Sequence, residues 1–240
     1  MDFRYEIIVV GGGHAGCEAA HAASKMGAKT LLITMDMTKL AQMSCNPAMG
    51  GIAKGQIVRE IDALGGLSGI VTDASMIQFR MLNRSKGPAM WSPRAQCDRQ
   101  RFSAEWRKRL EKTENLHIWQ EQANRLILEG SRAAGVETSF GTRFLCDAVI
   151  LTNGTFLNGL MHVGFRNIKG GRSGDQASTG LSDQLREMGF SVERLKTGTS
   201  ARIDGRTIDF SSMTEQKGDG EGRSFSYLNN FLTIEDPRSC

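Results

Sequence analysis

Residues 7–20 read IIVVGGGHAGCEAA, an apolar β-branched run that enters a glycine turn and leaves it as an alanine-rich segment. Few folds accept that order. Ile7 to Val10 favours a strand, and Ala15 to Met26 favours a helix that Gly27 ends. Between them, Gly11-x-Gly13-x-x-Gly16 has the spacing of a strand–turn–helix that holds a dinucleotide. Gly11 allows the tight turn, Gly13 lets backbone approach a pyrophosphate, and Gly16 lets helix and strand pack closely. Gly12, His14 and Ala15 fill the turn, and His14 is expected to meet the ligand through its backbone, since the turn faces a pyrophosphate. The helix N-terminus offers free N–H groups and the positive end of a dipole, so no cationic side chain is needed. Consistently, no Lys or Arg lies between Val10 and Ser24.

Ala28 to Thr34 (AKTLLIT) reads as a second, parallel strand that closes a βαβ unit. A dinucleotide site ordinarily carries an acid at the end of this strand for the ribose hydroxyls. Here Thr34 and Met35 come first and the acid, Asp36, arrives late. A ribose contact from Asp36 is therefore a weak expectation, and a main-chain group is the alternative.

Further along, residues 40–66 read as a long loop followed by a helix from Ile57 to Leu64. The stretch 75–101 is dense in Arg, Lys, Asn and Gln, and its basic run Arg80, Arg84, Lys86, Arg94, Arg99 and Arg101 is either a solvated face or a surface for nucleic-acid phosphates. Phe102, Trp106 and Leu110 recur at i, i+4 and i+8 and predict the core stripe of a helix over 101–112. Short strands are expected at 116–119, 123–128, 135–140 and 143–146. Ala148 to Leu151 (AVIL) reads as a buried parallel strand delivering Thr152-Asn153-Gly154-Thr155 to the carboxyl edge, where such sheets bind ligands. A helix over 178–188, a strand over 191–196 and an exposed polar linker over 211–223 complete the reading.

Composition narrows the class. Thirty basic residues against 26 acidic ones give a net charge of +4, which permits but does not require nucleic-acid binding. Cys17, Cys45, Cys97, Cys146 and Cys240 are odd in number and contain no C-x-x-C pair, so neither a disulfide framework nor a zinc site follows. The histidines His14, His21, His117 and His162 lack metal-ligand spacing, so no metal is expected. The apolar run at the start is too short for a membrane span. A soluble cytoplasmic protein with reduced thiols is the expectation.

Six blocks together resemble one family: GGGHAGCEAA at 11–20, SCNPAMGGIAKG at 44–55, NRSKGPAMWSPRAQCDR at 83–99, TNGTFLNG at 152–159, GGRSGD at 170–175 and LKTGTSARIDGRTIDFS at 195–211. They are similar to the glucose-inhibited division protein A (MnmG) family, flavoenzymes that modify carbon 5 of the tRNA wobble uridine. The resemblance implies an α/β fold: a glutathione-reductase-like FAD-binding Rossmann domain with a parallel sheet and an inserted β-rich segment. It divides the chain into residues 1–210, an incomplete FAD-binding domain, and 211–240, an exposed loop opening a second, inserted NAD-binding-type domain. FAD, NADH and methylenetetrahydrofolate are the implied cofactors. The implied partners are tRNA, an MnmE-type GTPase and a second copy in a homodimer.

Carried over by motif, Gly11, Gly12, Gly13, His14, Ala15 and Gly16 hold the FAD pyrophosphate, Ser178 touches the cofactor and Ala123 meets the adenine through its backbone. Cys45 falls where the family has a cysteine implicated in catalysis. A thiolate that adds to carbon 6 of uracil makes carbon 5 nucleophilic, and Lys54 and Arg59 lie downstream to favour the charged sulfur. A buried, inert cysteine is the competing reading. The family's Lys-Thr-Gly-Thr-Pro is Lys196-Thr-Gly-Thr-Ser200 here, which removes a rigid turn residue. Family members are also much longer, so the chain is read as a fragment or a shortened relative. A folate- and FAD-dependent tRNA uracil C5-methyltransferase, a small-molecule flavin oxidoreductase and a nucleotide-binding interaction module stay open as alternatives.

Overall fold

A computed structural model describes residues 3–220, 223–229, 234 and 237–239. The chain divides into two compact units, Met1–Gln42 with Trp106–Leu195, and Met43–Glu105 with Lys196–Cys240. The expected boundary between residues 210 and 211 falls inside the second unit.

The first unit is built on a parallel sheet in the order Ala148–Leu151, Ile7–Val10, Thr30–Thr34, Leu116–Gln120. Helix His14–Lys25 makes the crossover between the second and third of these strands. The run Thr30–Thr34 is buried at every position, as a strand covered on both faces must be. Because all four strands run the same way, their carboxyl ends share one edge. Gly11, Asp36, Glu121 and Thr152 all follow strand ends at that edge. The inserted β-rich segment is a second sheet, Phe3–Arg4, Arg143–Leu145, Arg132–Thr138 and Ala123–Glu129, the last three antiparallel neighbours. Tyr5, Ile8, Val10, Leu31, Ile33, Leu126, Val136 and Phe144 form the core between these layers. Helix Leu181–Glu187 is fastened to the second sheet by Gln184, whose side chain accepts from Leu126 N at 2.6 Å and donates to Leu126 O at 2.9 Å.

The second unit holds an antiparallel sheet of Ala48–Gly50, Ser92–Cys97 and Met76–Leu82, with helices Lys54–Ala63 and Ser68–Ser75. Three expectations change here. The basic stretch 75–101 contains a hairpin, because Met76, Gln78 and Phe79 are buried and the arginines stand at its partly open positions, Arg80 opposite Arg94. The helix expected from Ile57 begins at Lys54, after Ala53 takes a left-handed conformation (φ 62°). The polar stretch 211–220 is no free linker: Gln216 O accepts from Gln78 Nε2 at 3.1 Å, and the Asp219 carboxylate accepts from Met81 N at 2.6 Å and Arg84 Nη2 at 2.8 Å.

Helix Arg99–Leu110 carries the predicted stripe, with Phe102, Trp106 and Leu110 fully buried. The strand expected over 191–196 is absent. Its two apolar residues, Val192 and Leu195, are three apart and give no strand face, and Leu195 is 93% exposed. The helix expected from Ser178 starts later, at Leu181, because Gly180 must bend there (φ 99°).

Candidate functional site

The glycine turn is shaped by contacts that leave no room for side chains on its inner side and ample room on its outer side. A Cβ on Gly16 would lie 1.7 Å from Gly11 O, and one on Gly12 would lie 2.5 Å from Thr34 Oγ1. Gly11 sits at φ +111°, where a Cβ would also meet Thr152 O at 2.5 Å. Gly13 differs, because a Cβ there would meet nothing within 4 Å. The turn's carbonyls point inward and are occupied. Thr152 Oγ1 donates to Val10 O at 2.9 Å and to Gly11 O at 3.0 Å, and Ala41 N donates to Gly12 O at 2.7 Å. Gly13 caps helix His14–Lys25 without any side-chain hydrogen bond. Open space therefore adjoins a helix N-terminus whose repelling carbonyl oxygens are turned away, an arrangement that suits an anion. These residues fit the pyrophosphate of a dinucleotide.

The residues expected to border the ligand's adenosine half lie further along the same unit. Asp36 does not stand ready for a ribose. Its carboxylate accepts from Thr38 Oγ1 at 2.6 Å and Thr38 N at 2.8 Å and pairs with Lys39 Nζ at 3.2 Å. Hydrogen bonds from Thr38, opposed by partial burial and joined by Lys39, hold the Asp36 carboxyl below its ordinary value. Glu121 is likewise committed. It is buried, which alone would raise its pKa, but Thr138, Trp119 and the Phe140 N–H at 2.6 Å outweigh burial and hold it below the usual glutamate range. Ala123 is buried at the start of its strand, next to this acid. Ser178 is buried with its main chain fixed on both sides, donating to Phe156 O at 2.8 Å and accepting from Asn158 N at 2.7 Å. The fold brings Gly11 to Gly16, Ala123 and Ser178 into one unit. Sequence reasoning missed Thr152 as the residue that locks the turn, although its block, TNGTFLNG, had been singled out.

Cys45 belongs to the second unit. It is half-buried, with Sγ 3.3 Å from Thr199 Oγ1, and its carbonyl accepts a hydrogen bond from Arg202 Nη2. Lys54 and Arg59, the cations expected to favour its thiolate, are engaged elsewhere. Lys54 Nζ is directed to Ala48 O at 3.4 Å, and burial pulls its pKa down. The Arg59 guanidinium lies 4.0 Å from the centre of the Tyr227 ring. The residues that do meet Cys45 come from the block LKTGTSARIDGRTIDFS, some 150 positions away in sequence. The other described cysteines differ in kind. Burial pushes the Cys17 and Cys97 thiols up to about 12 and Cys146 up to about 11.

Over residues 6–240 the sequence matches the family described as glucose inhibited division protein A. The chain belongs to that family. It is 60% identical over 240 residues to a Porphyromonas gingivalis protein named tRNA uridine 5-carboxymethylaminomethyl modification enzyme MnmG, a match covering 100% of this chain and 38% of that one. A Parabacteroides distasonis protein of the same name is 62% identical over 228 residues, covering 95% of this chain and 36% of its own. The backbone is similar to that of Aquifex aeolicus GidA in its form II crystal, with a TM-score of 0.92, 45% identity, and coverage of 98% of this chain and 40% of that chain. The chain thus spans well under half the length of the relatives it matches.

Among the described residues no helix is long and apolar enough to cross a membrane, and no group of three or more His, Cys, Asp or Glu side chains is arranged to hold a metal. The basic run has mixed fates. Arg84 pairs with Asp219 at 2.8 Å and Arg80 donates to the Gln216 side chain, so part of the run holds the second unit together.

Proposed function

We propose that this chain carries the FAD-cradling and thiol-bearing part of an enzyme that adds a (carboxymethyl)aminomethyl group to carbon 5 of the tRNA wobble uridine. The supporting observation is the family's turn in working form, inward carbonyls locked by Thr152 and open space at Gly13. Gly11 to Gly16 hold the FAD pyrophosphate through N–H groups and the helix dipole, while Ala123 and Ser178 border the adenosine half. The flavin, when bound, supplies redox chemistry, with NADH as electron source and methylenetetrahydrofolate as one-carbon donor. Cys45 Sγ adds to carbon 6 of the uracil, the electron pair of the C5–C6 double bond moves toward the C4 oxygen, and carbon 5 becomes nucleophilic. Carbon 5 would then form its new bond to the one-carbon unit that the folate donates, and loss of the carbon 5 proton with expulsion of the Cys45 thiolate would restore the C5–C6 double bond.

The names of the relatives favour this reading over the folate-dependent uracil methyltransferase, which shares the thiolate logic. An MnmE-type GTPase partner, a homodimer and a cytoplasmic location belong to the same proposal. So does the assignment of residues 1–210 to FAD and of 211–240 to the opening of an NAD-binding-type insertion. The test is mass analysis of tRNA nucleosides from cells lacking the gene, complemented with the full-length protein. Wild type is expected to restore the wobble modification and Cys45→Ser to fail. Restoration by Cys45→Ser removes Cys45 from the mechanism, and a wobble base unchanged by the deletion overturns the substrate.

A further inference from the structure

Two contacts on Cys45 come from one loop without regular secondary structure. Thr199 Oγ1 is 3.3 Å from the sulfur, and Arg202 donates to the carbonyl of the same residue. One contact addresses the reacting atom and the other fixes the backbone that carries it. In the thiol form either partner can donate. Once the sulfur has lost its proton, only the threonine hydroxyl can, and a donor to an anion favours the anion. Arg202 meets a second need. With Ser200 where the family has proline, the loop lacks a residue of fixed φ, and a tertiary hydrogen bond from Arg202 restrains it instead. Neither Lys54 nor Arg59 does this work, since they are directed to Ala48 and Tyr227.

We infer that Thr199 and Arg202 are positioning residues for Cys45, with Thr199 stabilising the sulfur anion and Arg202 holding the Cys45 main chain in place. This rests on the proposed role of Cys45, but the contact can be tested apart from it.

The experiment uses the full-length protein and reads two quantities. The first is the rate at which iodoacetamide alkylates Cys45 at pH 7.5 and low reagent, followed by the mass of the Cys45 peptide. The second is the kcat and KM for tRNA modification. Thr199→Val keeps the branched shape and removes the hydroxyl, whereas Thr199→Ser keeps the hydroxyl. The expected result is about a tenfold slower alkylation and a lower kcat at unchanged KM for Thr199→Val, the scale of one charge-assisted hydrogen bond, with recovery in Thr199→Ser. Arg202→Lys is expected to fall between wild type and Arg202→Met in both readouts.

Alkylation and kcat at wild-type levels in Thr199→Val would overturn the inference. So would equal losses in the Val and Ser variants, which would mean that Thr199 only shapes the loop. If Thr199→Val slows alkylation while Cys45→Ser still modifies tRNA, the contact stands and the catalytic reading of Cys45 falls.

Discussion

Gly13→Ala, at the N-cap of helix His14–Lys25, and Gly16→Ala, in its first turn, are the same chemical change, and the structure assigns them different consequences for stability. Alanine favours a helix interior over glycine by about 1 kcal/mol, so without tertiary contacts Gly16→Ala would be stabilising, whereas at Gly13, the N-cap, alanine is the poorer residue by about 1 kcal/mol or less. At Gly16 the new Cβ falls 1.7 Å from Gly11 O and 2.6 Å from Thr152 Oγ1. Even the tightest real contacts, near 3 Å, require the helix to retreat from the strand by about 1.3 Å. That retreat disturbs the bond from Thr152 Oγ1 to Gly11 O, and overpacking against fixed backbone costs about 3 kcal/mol or more. Propensity loses, and Gly16→Ala should unfold the first unit at a lower temperature and weaken FAD binding with it. At Gly13 nothing lies within 4 Å, so there is no clash and the apoprotein should lose only the N-cap preference, about 1 kcal/mol or less. The methyl group nonetheless occupies the space a pyrophosphate must approach, and FAD affinity should fall tenfold or more, about 1.4 kcal/mol. The assay is thermal melting of the apo full-length protein beside FAD titration by flavin fluorescence. A wild-type melt for Gly16→Ala, or wild-type FAD affinity for Gly13→Ala, would refute the reasoning.

Among the described cysteines, native-state iodoacetamide at pH 8 should label Cys45 readily and Cys17, Cys97 and Cys146 only after unfolding, because burial holds those thiols protonated; peptide mass mapping checks this, and native labelling of Cys17 at the Cys45 rate contradicts it. Phe225 is fully buried and its main chain donates to Asp73 Oδ1 at 2.6 Å, so Phe225→Ala should destabilise the second unit by about 3–5 kcal/mol in denaturant melts, and a change under 1 kcal/mol would count against the docking of this segment. Burial, assisted by the charge of Asp62, raises the Asp73 pKa despite hydrogen bonds from Asn229, Phe225 and Ser226. A carboxyl raised in the folded state binds its proton more tightly there, so its contribution to stability is present below the ordinary aspartate value near 4 and is lost as pH rises through the folded value. Comparing wild type with Asp73→Asn across pH 3.5–7 should therefore show the wild type losing ground as pH rises, and the reverse slope would reject the assignment.

The parts of this fold that could be read from sequence are those set by neighbouring residues. Ile7 to Val10, the glycine spacing, the helix ended by Gly27 and the strand Ala148–Leu151 each follow from local pattern, and the structure has them at those places, although Ala148–Leu151, expected to be buried, is an edge strand with Ala148 exposed and the rest half-buried. The Phe102, Trp106 and Leu110 stripe was legible for the same reason. The hairpin 76–82 with 92–97 was hidden because four arginines and lysines dominate the stretch, while its buried face rests on Met76, Gln78 and Phe79 and on long-range partners at Gln216 and Asp219. Residues 191–196 show the converse: Val192 and Leu195 are three apart, so there is no period-two face to bury, and the expected strand does not form.

The candidate site divides along the same line. The cofactor turn is local and was visible as spacing, although the function of each glycine becomes physical only through Thr152, which closes on the turn from about 140 residues away. The surroundings of Cys45 are entirely non-local. Proximity in sequence pointed to Lys54 and Arg59, yet a cation nine or fourteen residues distant has no reason to face a given thiol. The residues that do face it were within a block already recognised as informative, and only folding could pair that block with this cysteine. Asp36 teaches the same lesson from the other side. An acid in nearly the right place for a ribose is taken by Thr38 and Lys39, because a free carboxylate beside an unsatisfied N–H and a lysine finds the local partners first. On the proposed reading the ribose is held by main-chain groups and not by this acid, so Asp36→Ala should leave FAD affinity within about twofold of wild type, whereas a tenfold loss in flavin titration would return the acid to the site.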